Sequence, residues 1–281
     1  VADDWNYPHN LAYLVATAAE DGRYAEGQRL ARKLEAVGDE PARAAGAGAS
    51  MYTRAESGDF ALARLQMRYG DWAAAKQNPL AFPIDEAHVD AQAKAYRQGL
   101  RSYIDGMGAA ATERLDDAER AANALDAALW QLQRSVADDS PKNVRRVLGL
   151  ASYDLRANLA ARRGQLEVAV KLMLAAEKLE SEIGYSEPPP FWRPIDESLG
   201  QIYLRAKKWT EARAAFERAL VIRPNSGFAL AGIGAAAAGA GRLSDATTAY
   251  GAAVKVWADA DTSFPARTEA AAWLAAHHPP G

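Results

Sequence analysis

The chain has 281 residues, of which 49% are hydrophobic and 25% are charged, as in an ordinary folded globular protein. Lys and Arg total 33 against 36 Asp and Glu, and this net charge of −3 argues against a protein that coats nucleic acid. Cysteine is absent, which excludes disulfides, cysteine-bound zinc and thiol catalysis and leaves the cytoplasm and the periplasm equally open.

The sequence contains neither a candidate membrane span nor a visible signal peptide. No run approaches the roughly 18 apolar residues that a spanning helix needs. The chain begins at Val1 rather than at Met, which suggests a processed or truncated product. We therefore keep open the association of this chain with a missing N-terminal segment or with another subunit.

Apolar residues recur at three- and four-residue spacing along nearly the whole chain, and this predicts helices throughout. Short turns, most of them with glycine, separate the helices into pairs, because glycine supplies the left-handed backbone conformation that ends a helix. The tail from His277 reads as a frayed end. We predict helical hairpins at 9–37, 47–78, 86–136, 142–183, 194–223 and 226–259, and a closing helix at 265–276.

A repeat near the C-terminus gives the strongest signal. Four packing positions of one hairpin recur 34 residues later in the next. A fixed period of this size marks a stacked array of helical hairpins, because one hairpin cannot bury its own apolar face. The positions are Trp209, Ala212, Phe216 and Ala219, which recur as Leu243, Ala246, Tyr250 and Ala253.

The motif Leu199-Gly200-x-x-Tyr203, followed by Ala212, Phe216, Ala219 and Pro224, resembles the tetratricopeptide repeat in residue order and spacing. A second match begins at Ile233-Gly234, and a weaker one at Ala157. The resemblance implies an all-α, right-handed superhelix of about six irregular hairpins. We expect one solenoid over 1–281, with divergent hairpins in 1–140, recognisable repeats in 141–263 and a closing helix and tail in 264–281.

Three further segments resemble the later part of a longer bacterial tetratricopeptide-repeat family. They are Tyr7-Pro8-His9-Asn10, the helix with Tyr96, Gly99 and Tyr103, and Tyr185-Ser186-Glu187-Pro188-Pro189-Pro190. Members of that family carry further repeats upstream, and nothing here matches that part.

The segment Glu187–Pro194 is the least generic part of the chain. Three consecutive prolines impose a stiff, extended backbone before Phe191, Trp192 and Arg193. These side chains either contact a ligand at the rim of the groove or fill the gap between unevenly spaced hairpins. Both interpretations stay open, although adjacent aromatic residues beside a helix start are more often buried.

The N-terminal segment Trp5–Asn10 also carries aromatic and polar side chains. Tyr7, His9 and Asn10 could form a small polar pocket, or the segment could cap the first hairpin or be the remnant of an interface. The four histidines show no zinc-binding spacing, so we expect no metal site. No nucleophile motif or phosphate-binding loop is present, and we expect no cofactor.

The first helix of each hairpin is expected to line the groove, as the resemblance to tetratricopeptide repeats implies. The groove positions then carry polar side chains in two hairpins and leave an apolar, roomy surface in the last, where they are Phe228, Ala231, Ala235 and Ala238. An ordinary solvated helix face with internal ion pairs is the alternative. The candidate contacts are Tyr7, His9, Asp154, Asn158, Arg162, Trp192, Arg193, Glu197, Gln201 and Arg205.

These observations predict a non-catalytic scaffold that binds a peptide, a protein segment or a partner subunit in its groove. The alternative is an enzyme, or a protein that binds a small molecule or metal, with a pocket where Tyr7-His9 meets the loop 187–194. A third possibility is a fragment of a larger protein, which an exposed apolar surface around Trp5, Leu11 and Leu14 would indicate.

Overall fold

The computed structural model describes residues 6–37, 60–81, 87, 89, 91–134, 142–184 and 188–277. Thirteen α-helices and no strand occur in these ranges, and they confirm an all-α fold built from helical hairpins. The helices are α1 (Asn6–Glu20), α2 (Tyr24–Val37), α3 (Ala61–Tyr69), α4 (Trp72–Gln77), α5 (Ala91–Ala111), α6 (Leu115–Arg134), α7 (Lys142–Arg162), α8 (Leu166–Ile183), α9 (Ile195–Arg205), α10 (Trp209–Ile222), α11 (Gly227–Gly239), α12 (Leu243–Val256) and α13 (Pro265–His277).

The predicted hairpins correspond to these pairs, from α1–α2 to α11–α12, and α13 is the closing helix. The start of the second hairpin, residues 47–59, lies outside the described residues, as do Trp5, residues 185–187 and His278. The expected internal boundaries of the solenoid remain a prediction.

The six hairpin turns among the described residues are built in the same way. One residue in each turn has a φ of 56° to 77°, and the next backbone N–H donates to the carbonyl five residues earlier at 2.9 Å. This bond satisfies a carbonyl that the end of the first helix leaves without a partner. Glycine takes the left-handed conformation in four turns, and Lys207 and Glu113 adopt it in the other two. The glycines are Gly22, Gly70, Gly164 and Gly241.

The chain divides into two compact units. Unit 1 comprises residues 1–16 and 26–192, and unit 2 comprises residues 17–25 and 193–281. In unit 1 the core lies between α5, α6 and α7, where Leu125 and Leu148 are fully buried. A Cβ atom at Gly99 would lie 2.7 Å from Leu148, so the absent side chain lets α5 and α7 approach closely.

The core of unit 2 is organised around Phe216. Its ring is fully buried, and a Cβ atom added at Gly200 or Gly232 would lie 2.7 or 2.5 Å from it. Phe216 on α10 therefore packs against the bare backbone of both α9 and α11. The next hairpin repeats the first of these contacts, because a Cβ atom at Gly234 would lie 2.8 Å from Tyr250. The 34-residue period therefore reflects one contact, an aromatic ring packed against a glycine, that recurs in the next hairpin.

Candidate functional site

A buried polar cluster lies between α5 and α7 in unit 1. The Tyr103 hydroxyl donates to Asp154 Oδ2 at 2.6 Å, and the Asn158 amide donates to Asp154 Oδ1 at 3.0 Å. Asp154 is 1% exposed, so its carboxylate is held by these partners within the helix layer. The sequence analysis predicted that Asp154 and Asn158 lie in the groove. In the structure the two side chains are hydrogen-bonded to each other, and Asp154 joins α7 to α5 through Tyr103.

Arg162 lies one turn beyond this cluster on α7. Its guanidinium forms an ion pair with Glu113 in the α5–α6 turn, and 13% of the Arg162 side chain is exposed. Its Nε is buried with no hydrogen-bond partner among the described residues. The pair joins the end of α7 to the neighbouring hairpin.

The proline-rich segment is fastened to α3. Arg64 Nη2 donates to the carbonyls of Pro189 and Pro190 at 2.8 and 2.9 Å. Phe191 and Trp192 are 2% and 6% exposed, and their ring centroids lie 4.1 Å apart. This burial favours packing over ligand contact for the two aromatic residues. Arg64 was not among the predicted residues, because an arginine on a helix face has no distinguishing spacing.

Trp192 continues into a chain of aromatic contacts. Its ring centroid lies 5.1 Å from that of Tyr103, which in turn lies 5.8 Å from Trp72 in an edge-on arrangement. The proline-rich segment is thereby tied to α5 and, through Tyr103, to the Asp154 cluster.

The start of α9 in unit 2 carries two buried carboxylates. Asp196 pairs with Arg218 on α10, and Glu197 lies 3.5 Å from Arg193 Nε. The side chains of Asp196 and Glu197 are 4% and 5% exposed, so both serve internal contacts. Asp196 was not among the predicted residues, since its partner Arg218 lies on another helix.

Gln201 and Arg205 lie further along α9 and are exposed. They are four residues apart and so occupy one face of the helix. Ala231, Ala235 and Ala238 on α11 are partly exposed, and α11 packs against α9. We call these five residues the α9–α11 face; its side chains are polar on α9 and small and apolar on α11.

Phe228, the remaining predicted position on α11, has a different environment. Its ring packs edge-on against Trp257 and Phe264, with centroid distances of 5.3 and 5.7 Å. It belongs to an aromatic cluster at the C-terminal end of unit 2.

The N-terminal candidates contact their own hairpin. Lys33 Nζ lies 5.5 Å from the centre of the Tyr7 ring, and the His9 ring lies 6.2 Å from that of Tyr13. Leu11 is buried, whereas Leu14 is 50% exposed. Within the described residues no group of three or more metal-ligating side chains occurs, and none of the helices could span a membrane.

A comparison with known protein families identifies the sequence repeat that contains α9. Residues 197–226 match the tetratricopeptide repeat family. The chain contains a tetratricopeptide repeat. No curated protein and no solved structure gives a significant match.

The match covers α9 from Glu197 onward, all of α10 and the connection to α11, and it includes Gly200, Tyr203 and Phe216. Burial raises the pKa of the Tyr203 phenol, and the charge of Glu211 adds to the shift while Arg218 opposes it. Tyr203 packs against the buried cluster that contains Phe216, and Gln201 and Arg205 are the exposed polar residues of the repeat on α9.

Proposed function

We propose that the protein is a non-catalytic scaffold that binds a peptide or protein segment on the α9–α11 face. The observation that carries this proposal is the tetratricopeptide repeat at residues 197–226, whose first helix exposes Gln201 and Arg205 beside the small side chains of α11. Repeats of this kind stack so that their first helices form an extended binding surface.

The chemistry of the face supports a peptide ligand. Gln201 offers both a donor and an acceptor for a peptide backbone, and Arg205 offers a planar set of donors suited to a carboxylate or a carbonyl. Ala231 and Ala235 leave room for an apolar side chain of the ligand, because neither projects beyond its Cβ atom. The buried candidates Asp154 and Glu197 would act by holding their helices in place.

The α9–α11 face can be blocked with one substitution. Ala235→Arg introduces a long charged side chain on the α11 side of the face. Ala214→Arg introduces the same side chain on the exposed surface of α10. Each immobilised variant is exposed to extract of the cells that produce the protein, and bound proteins are quantified by mass spectrometry. Thermal unfolding is measured first, so that only folded variants are compared.

We expect wild type and Ala214→Arg to retain the same specific protein, and Ala235→Arg to lose it at least tenfold. Equal retention by all three proteins would contradict the proposed site. Failure of wild type to retain any protein above an inert control would contradict the scaffold function itself.

A further inference from the structure

The turn between α1 and α2 is completed by residues from the other end of the sequence. Trp257 Nε1 donates to the carbonyl of Glu20 at 3.0 Å, and the Ala25 N–H donates to Asp261 Oδ2 at 2.8 Å. The Asp261 N–H donates in turn to the Gly22 carbonyl at 3.1 Å. These bonds join residues that are 236 to 239 positions apart, and all lie within unit 2.

The first two bonds satisfy groups that helix ends leave without partners. The Glu20 carbonyl is the last of α1, and the Ala25 N–H belongs to the first turn of α2. The start of α4, by contrast, is capped from within the same turn, where Asp71 accepts from the Ala74 N–H. A repeat array normally makes contacts only between neighbouring hairpins.

An ion pair and a steric fit add specificity. Glu20 Oε1 lies 2.8 Å from Arg223 Nη1, with side chains 28% and 16% exposed, and Ser226 Oγ donates to Glu20 Oε2 at 3.4 Å. A Cβ atom at Gly22 would lie 2.7 Å from both Ala260 and Phe264, and Gly22 also has a φ of 77°. The turn therefore fits this surface only with glycine at its tip.

We propose that residues 257–264, together with Arg223, form a docking site for a helix–glycine–helix turn, and that Thr17–Ala25 of the same chain is its occupant. The docked turn is a latch: it covers the Trp257 and Phe264 rings, which pack on each other at 4.9 Å. The latch residues lie outside the α9–α11 face, and opening of the latch is a local event that leaves the hairpins folded.

Hydrogen exchange of the 281-residue chain tests the latch from both sides. Asp261→Ala removes the acceptor for the Ala25 N–H, and Glu20→Ala removes the partner of Arg223. Asp259→Ala is the matched control, because Asp259 is exposed and lies two residues away. Exchange rates are measured for residues 17–25, residues 257–264 and helix α8.

We expect Asp261→Ala to raise exchange at least tenfold in 17–25, and Glu20→Ala to raise it similarly in 257–264. Both variants should leave α8 unchanged, and Asp259→Ala should match wild type throughout. The latch would be overturned if both segments of both variants exchanged at the wild-type rate. An equal rise in exchange in 17–25, 257–264 and α8 would also overturn it. A concentration-dependent dimer that Asp261→Ala converts to monomer would assign the turn to a second copy and overturn the intramolecular occupant.

Discussion

The left-handed turn residues allow a test of how the sequence encodes the hairpins. Gly241 has a φ of 74°, and no atom lies within 4 Å of the position its Cβ would occupy. Gly241→Ala therefore measures the backbone conformation alone. The left-handed conformation costs an alanine about 1–2 kcal/mol. The stiffer unfolded chain returns about 0.4–1 kcal/mol, so we expect a net loss of roughly 1 kcal/mol.

Two further substitutions should change the free energy of unfolding by more than Gly241→Ala does, or in the opposite direction. Gly22→Ala has the same backbone cost and also forces the new Cβ to within 2.7 Å of Ala260 and Phe264, which adds about 1–3 kcal/mol of overpacking. Lys207 has a φ of 56° without being glycine, so Lys207→Gly should stabilise the protein by about 0.5–1 kcal/mol.

The free energy of unfolding is measured by urea titration, followed by circular dichroism at the helix band. The expected order of stability is Lys207→Gly, wild type, Gly241→Ala and then Gly22→Ala. A destabilising Lys207→Gly, or equal losses for the two alanine variants, would refute the reasoning. The slope of the transition must stay constant for the comparison to hold.

Three further predictions concern the packing of each unit. Gly200→Ala should destabilise the repeat by about 1–3 kcal/mol, because its Cβ would overlap the Phe216 ring, and urea titration should show part of this loss restored when Phe216→Leu is added. Tyr103→Phe should cost about 1.5–3 kcal/mol in the same assay, since it removes a hydrogen bond from the buried Asp154 carboxylate; an unchanged midpoint would contradict this role. Burial, assisted by the nearby charge of Glu269, raises the pKa of Tyr250 above its ordinary value of 10.0, so the folded state holds this proton more tightly than the unfolded chain. The resulting stability is present below about pH 10 and falls as the pH rises through the folded-state pKa, and Tyr250→Phe should show a smaller fall in urea titrations across this range.

The fold could be read from the sequence because its signals are local. The turn glycines and the 34-residue echo from Phe216 to Tyr250 each depend on neighbouring residues or on the next hairpin. The same turn geometry also forms at Lys207, where no glycine marks it.

The environment of the site residues was less accessible to sequence reasoning. The repeat pattern gives the face of a helix on which a side chain lies, but it does not give the partner from another element. Asp154 and Glu197 were predicted at groove positions, and the structure buries them beside Tyr103 and Arg193 respectively. The bonds of the latch join residues more than 200 positions apart, and no period in the sequence connects them.

The most direct test of the scaffold proposal is site-specific photo-crosslinking on the α9–α11 face. A photoreactive amino acid is placed at Gln201 in one variant and at Ala214, on the exposed side of α10, in the other. Both proteins are irradiated in extract of the cells that produce the protein. The account predicts one dominant crosslinked partner from position 201 and none above background from position 214. Identical crosslinking patterns from the two positions, or no product from position 201, would contradict it.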